Sequence, residues 1–139
     1  MRTYTMRGTM PPTEQTRSLV VDDGRYTHGF VITSFRVWPA GPTLPSGFNA
    51  NAVLSFLDFP PSTMNAEETG TFAWASFMEG TTNDAATFSL LDPQHVVNQD
   101  LFIHNMGLTA MNYLITMSPI VMTPEQGVLQ LIKAANQTV

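Results

Sequence analysis

The chain has no cysteine, one lysine (Lys133) and little charge of either sign. Six Lys and Arg stand against eleven Asp and Glu, so 12% of its 139 residues are charged and the formal charge is −5. Each shortage excludes something. Without cysteine there is no disulfide framework, thiolate metal site or thiol nucleophile. The few arginines are scattered and cannot neutralise a nucleic-acid backbone, so no nucleic-acid partner is expected. Long apolar runs are missing too. The longest, Met111 to Met122, is broken by Asn112, Thr116, Ser118 and Pro119 and is too short to span a bilayer. The opening Met1-Arg2-Thr3-Tyr4-Thr5-Met6-Arg7 leads into no apolar segment, so neither a signal peptide nor a membrane partner is read. Disorder is excluded as well, because disordered chains are highly charged and poor in aromatics. Here 10% of residues are aromatic and 43% hydrophobic. The length fits a single domain over 1–139.

What is present is alternation with a period of two. Strands are predicted over Thr3–Thr9, Arg17–Val21, Thr27–Trp38, Ala52–Leu57, Gly70–Met78, Ala86–Leu91, Val96–His104 and Met111–Met117. Turn and loop signals separate them: Met10-Pro11-Pro12, Asp22-Asp23-Gly24, the Pro- and Gly-rich 39–51, the loop 58–69, Glu79–Ala85 and Asp92-Pro93-Gln94. In Thr27–Trp38, Phe30, Ile32, Ser34, Arg36 and Trp38 fall on one face, and Gly29, Val31, Thr33, Phe35 and Val37 on the other. Apolar groups on both faces imply a strand covered on both sides, by a second sheet and by a neighbouring subunit. Only the C-terminus reads as helical. Thr123-Pro124-Glu125-Gln126 has the capping-box arrangement, and Val128, Leu129, Leu131, Ile132 and Ala135 form an apolar stripe within a helix over 124–136. The expected fold is mainly β: an antiparallel β-sandwich or jelly-roll-like barrel of about seven or eight strands with one C-terminal α-helix.

Candidate chemistry is sparse. His28, His95 and His104 lack the close spacing of a metal site, so no metal or other cofactor is expected. His95 and His104 are placed at opposite ends of one strand. Among the carboxylate pairs, Asp22/Asp23 and Asp92 suit turns, Glu67/Glu68 a solvated loop, and Asp100 within a strand a buried hydrogen bond or an arginine partner. No serine stands in a nucleophile elbow or obviously near a base, and no phosphate loop occurs. Asn136-Gln137-Thr138 matches a glycosylation acceptor by coincidence of composition. Trp38, Trp74, Phe72 and Tyr113 can form a sugar-stacking platform but at strand spacing read as core. No catalytic residue is assigned, and the chain is expected not to be an enzyme.

Seventeen charged side chains cannot cover the surface of such a domain, and nine methionines add adaptable apolar contacts. This composition predicts self-association. The segment Asp92-Pro93-Gln94-His95-Val96-Val97-Asn98-Gln99-Asp100-Leu101-Phe102-Ile103, with Asn112-Tyr113-Leu114-Ile115 and Leu131-Ile132-Lys133, resembles small proteins of marine tailed phages that look like minor virion components. That resemblance implies a viral structural protein of capsid, cement or decoration type. Its partners would be itself and/or a major capsid protein, and its location the virion after synthesis in the host cytoplasm. Residues 1–15 then read as an extended arm, with Tyr4, Met6, Met10, Pro11 and Pro12 as assembly contacts. The alternative is a carbohydrate- or receptor-binding β-sandwich module using loops 39–51 and 58–69 and an exposed tryptophan. A third reading is a small β-barrel enzyme using Asp100 with a histidine.

Overall fold

A computed structural model describes residues 3–19, 27–41, 49–65, 67–68, 70–79, 85–92, 95–107 and 109–135. The Asp22-Asp23-Gly24 turn, most of the 39–51 loop, the Gly80–Asp84 turn, Pro93-Gln94 and the Asn136 acceptor lie outside them. Eight strands precede one helix: β1 (Tyr4–Met10), β2 (Thr16–Leu19), β3 (His28–Pro39), β4 (Asn49–Ser55), β5 (Thr71–Glu79), β6 (Ala85–Leu91), β7 (Leu101–Asn105), β8 (Met111–Val121) and α1 (Pro124–Ala135). They form a three-stranded sheet, β1-β8-β3, and a five-stranded sheet, β2-β7-β4-β5-β6, with every pairing antiparallel. The fold is a two-sheet sandwich and not a closed barrel.

Alternation decides what lies between the sheets. Met111, Tyr113, Ile115 and Met117 of β8 face inward beside Ile32, Phe35 and Val37 of β3. They meet Ala52, Leu54, Ala73, Ala75, Phe77, Leu101 and Ile103 of the other sheet in one core. Each large side chain so buried stabilises the fold by roughly 1.5–3 kcal/mol.

The expectation that β3 is covered on both sides is corrected by a bulge. Ile32 pairs with Met117 and Ser34 with Thr116, so Thr33 is an extra residue. The strand therefore changes phase, with Ile32 inward before the bulge and Phe35 and Val37 inward after it. Phe30, Ile32, Phe35 and Val37, which strict alternation divides between two faces, therefore share the core face, while Trp38 stays on the outward one. A second bulge, at Phe72 of β5, lets both Phe72 and Ala73 reach the core.

The strand read over Val96–His104 is also corrected. Val97 makes an isolated bridge to Phe30, exchanging both backbone hydrogen bonds at 2.7 and 2.8 Å, whereas β7 begins at Leu101 in the other sheet. β3 is an edge strand whose outward N–H groups need acceptors, and residues 95–97 supply them before the chain crosses the sandwich. The approach is close enough that a Cβ on Gly29 would lie 2.8 Å from the Val97 carbonyl.

The N-terminal arm is likewise not free. Residues 4–10 pair with β8 along their whole length, which turns Tyr4, Met6 and Met10 toward the core side of the sheet. At the far end Arg17 clamps the sheets together. Its guanidinium holds Glu14 at 2.5 and 2.9 Å, donates to the Thr9 carbonyl at 3.0 Å, and reaches Tyr113 Oη at 3.4 Å. This ion pair keeps the Glu14 carboxyl below its ordinary range. Gly8 leaves the room that Tyr113 occupies, since a Cβ there would sit 2.6 Å from its hydroxyl.

The helix forms as capped. Thr123 N–H donates to Gln126 Oε1 at 3.1 Å and Gln126 N–H to Thr123 Oγ1 at 3.3 Å. Its apolar stripe, however, is not packed down. Val128, Leu129 and Ile132 are exposed, and the helix docks through buried Gly127, whose carbonyl accepts from Asn98 Nδ2 at 3.0 Å. No helix among the described residues is long and apolar enough to cross a membrane.

Candidate functional site

The most concentrated polar chemistry is a cluster that sequence spacing did not reveal. Register places Thr16, His104, Val53, Trp74 and Leu90 in one row across the outward face of the five-stranded sheet, with Ser55 beside it. His104 Nε2 lies 2.6 Å from Ser55 Oγ, and its Nδ1 lies 2.9 Å from Thr16 Oγ1. Ser55 Oγ also donates to the Leu57 carbonyl at 3.0 Å and accepts from the Leu57 N–H at 3.2 Å. One assignment uses every hydrogen once: Nε2–H donates to Ser55, Ser55 donates to Leu57, and Thr16 donates to Nδ1.

In that arrangement the serine proton points away from the imidazole, so His104 is not poised to remove it. Burial pushes the His104 pKa down to about 4, opposed by the Leu57 carbonyl. A base that weak, bound to no carboxylate in this cluster, gives little driving force for proton abstraction. His104 is 0% exposed and Ser55 1%, although Ser55 borders a pocket of about 350 Å³ with Leu57, Phe59, Pro61, Glu68 and Thr71. The cluster is a neutral clasp joining β2, β7 and β4.

His95 is also buried rather than at a strand end. Its Nε2 accepts from the Ile32 N–H at 2.8 Å and its Nδ1 donates to the Asp92 carbonyl, which defines a neutral ring. That ring stacks on Phe72 at 5.2 Å, and Phe72 stacks on Phe56 at 4.6 Å. Asp100 is half-buried just before β7, Glu67 is exposed, and Glu68 accepts from Thr63 Oγ1 at 2.9 Å. Among the described residues no group of three His, Asp or Glu could hold a metal ion.

The residues expected to make assembly contacts separate. Met10 is fully buried in the core and unavailable to a partner, because the alternation that groups it with Tyr4 and Met6 points inward. Met6 packs against the core, and Tyr4 is partly exposed in an edge-on contact with Phe30 at 6.2 Å. Pro11 and Pro12 are exposed. Of the aromatic candidates, Phe72 and Tyr113 are buried and the indole nitrogen of Trp74 is shut from solvent. Trp38 borders two open grooves, one of which Tyr113 also lines.

Two surfaces stand out instead. On the outward face of β5 and β6, Met78, Phe88 and Leu90 are exposed, Leu90 by 60%, on alternate residues of the ladder. On the outward face of the three-stranded sheet, Arg7, Leu114 and Arg36 form one row and Thr9, Asn112 and Trp38 the next. Trp38 separates a groove of about 440 Å³ lined by Arg7, Thr9, Asn112 and Leu114 from another of about 440 Å³ between β3 and β6 that includes Arg36 and Phe88. Both grooves are open to solvent rather than enclosed. No protein-family model matches the chain, and no curated protein is significantly similar to it.

Proposed function

We propose that the chain is a non-enzymatic structural subunit of a virus particle, a capsid, cement or decoration protein that assembles with copies of itself and/or a major capsid protein in the virion. The observation that carries this reading is the apolar strip Met78, Phe88 and Leu90 on the outward face of β5 and the edge strand β6. Edge strands of monomers are usually blunted by charge, yet β6 (Ala-Ala-Thr-Phe-Ser-Leu-Leu) has none. A contact that buries this strip would be repeated at every symmetry-related interface.

Strand order supports the jelly-roll form of the sandwich. β1 pairs with β8, β2 with β7 and β4 with β5, while β3 lies close to β6. Such nesting wraps one long hairpin into two sheets, an architecture used by viral capsid and lectin domains. The second reading, a carbohydrate- or receptor-binding module, is favoured by Trp38 standing between two grooves.

Sedimentation velocity on the full chain tests the choice. Oligomers that grow with concentration and shrink in Phe88→Ser/Leu90→Ser support assembly. A monomer throughout the micromolar to millimolar range overturns it. Glycan binding by that monomer, lost in Trp38→Ala, would favour the module.

A further inference from the structure

We infer that copies of this chain associate head to tail: the Arg7–Trp38–Arg36 face of one copy receives Asp58, Phe59 and Glu67, in the β4–β5 loop, of the next. The inference rests on the assembly reading and adds to it a second contact, separate from the apolar β5–β6 strip.

Charge is segregated in this fold. β1, β3 and β8 contain no Asp or Glu, but their outward face carries Arg7 and Arg36 in one row on either side of Leu114. With strands about 4.8 Å apart, the two backbones lie about 10 Å apart. Both arginines are exposed, and neither has an ion-pair partner among the described residues, where the single salt bridge is Arg17–Glu14. A basic face on a chain of net charge −5 leaves the rest of the surface more acidic than the total suggests. Two identical acidic subunits repel unless this face of one meets an acidic surface of the other.

Which acidic surface follows by elimination among the described side chains. Glu14 is held by Arg17, Glu68 accepts from Thr63, and Asp92 and Asp100 have partners of their own. Glu125 lies in the first turn of α1, where the helix dipole stabilises it. Asp58 and Glu67 remain, both exposed, in a loop that also presents Phe59 at 59% exposure. An aromatic anchor accompanied by two carboxylates matches a face on which two guanidiniums stand on either side of Leu114, with the half-buried Trp38 in the adjacent row. Arginine can pair with carboxylates bidentately and stack on rings. The two patches differ, so the contact is heterologous and closes into rings or extends into open chains.

The test is sedimentation velocity of the full chain at low and moderate salt, with Arg7→Glu/Arg36→Glu, Asp58→Arg/Glu67→Arg, and their equimolar mixture. Circular dichroism first verifies that each folds, and Arg7→Gln/Arg36→Gln replaces a reversal that does not. Each double variant alone should associate about tenfold or more weakly, and wild-type association should weaken with salt. Mixing the two reversed variants should restore it, because each then finds its complement. Association unchanged by Arg7→Glu/Arg36→Glu, or not restored by mixing, overturns this interface and leaves the assembly reading standing. A monomeric wild-type chain overturns both. Heparin binding that depends on Arg7 and Arg36 in a monomeric chain would overturn it by assigning the face to acidic glycans.

Discussion

Two rows of side chains, one on the outward face of each sheet, show how differently the faces are built. Across the five-stranded sheet, Thr16, His104, Val53, Trp74 and Leu90 run from buried polar groups to an exposed leucine. Across the three-stranded sheet, Arg7, Leu114 and Arg36 run cation, apolar, cation. Both faces are outward, yet only the second has the solvated alternation of an exposed sheet. The first is sealed at its centre by hydrogen bonds and left apolar at its β6 edge. The low overall charge is therefore an average over a basic sheet, a neutral clasp and acidic loops.

The largest expected effect comes from breaking the division between faces. Deleting Arg36 puts β3 out of phase beyond Phe35, so Val37 turns outward and Trp38 inward. Losing a buried valine and forcing an indole into the core should cost about 4 kcal/mol, read by urea denaturation. A folded deletion variant of near wild-type stability would contradict the inward assignment of Val37.

Acid should act on the clasp next. His104 titrates at about 4 when folded, against an ordinary 6.5. Between these values the unfolded chain binds more protons than the folded one. Stability from this group is thus fully present above pH 6.5 and lost as pH falls toward 4, by about 3 kcal/mol. His104→Gln should be less stable at neutral pH but flatter across that window. An equally steep profile in the variant would assign the acid sensitivity to other groups.

Deleting Thr33 should do much less than deleting Arg36. Ile32 and Ser34 then become neighbours already paired with Met117 and Thr116. Both halves of β3 stay in phase, and the loss should be about 1 kcal/mol, from altered twist. Unfolding of this variant would mean that the bulge itself is needed. Smallest of all, Phe88→Ser/Leu90→Ser should shift the unfolding free energy by about 0.5 kcal/mol, as expected of exposed side chains. A shift of several kcal/mol would show that the strip is packed within the chain.

Local information was legible where it acts locally. The capping box at Thr123, the loop after Pro60-Pro61 and the existence of most strands follow from residues adjacent in sequence. The phase of β3 did not, because alternation counts residues and a bulge adds one without a local mark. Met10 illustrates the same limit. The sequence reading sets it in the break after Thr9 and among the assembly contacts, whereas pairing with Met111 of β8, about a hundred residues away in sequence, extends β1 to Met10 and turns it to the core. The Ser55–His104 contact spans 49 positions, and strand register alone brings it together.

By itself the sequence determined that this chain folds as a β-rich domain with a capped terminal helix, since alternation and capping are properties of neighbouring residues. Tertiary structure decided which faces are inside, which histidines are neutral and where the few charges collect. Those depend on pairing partners and bulges, and so on free energies shared between distant segments.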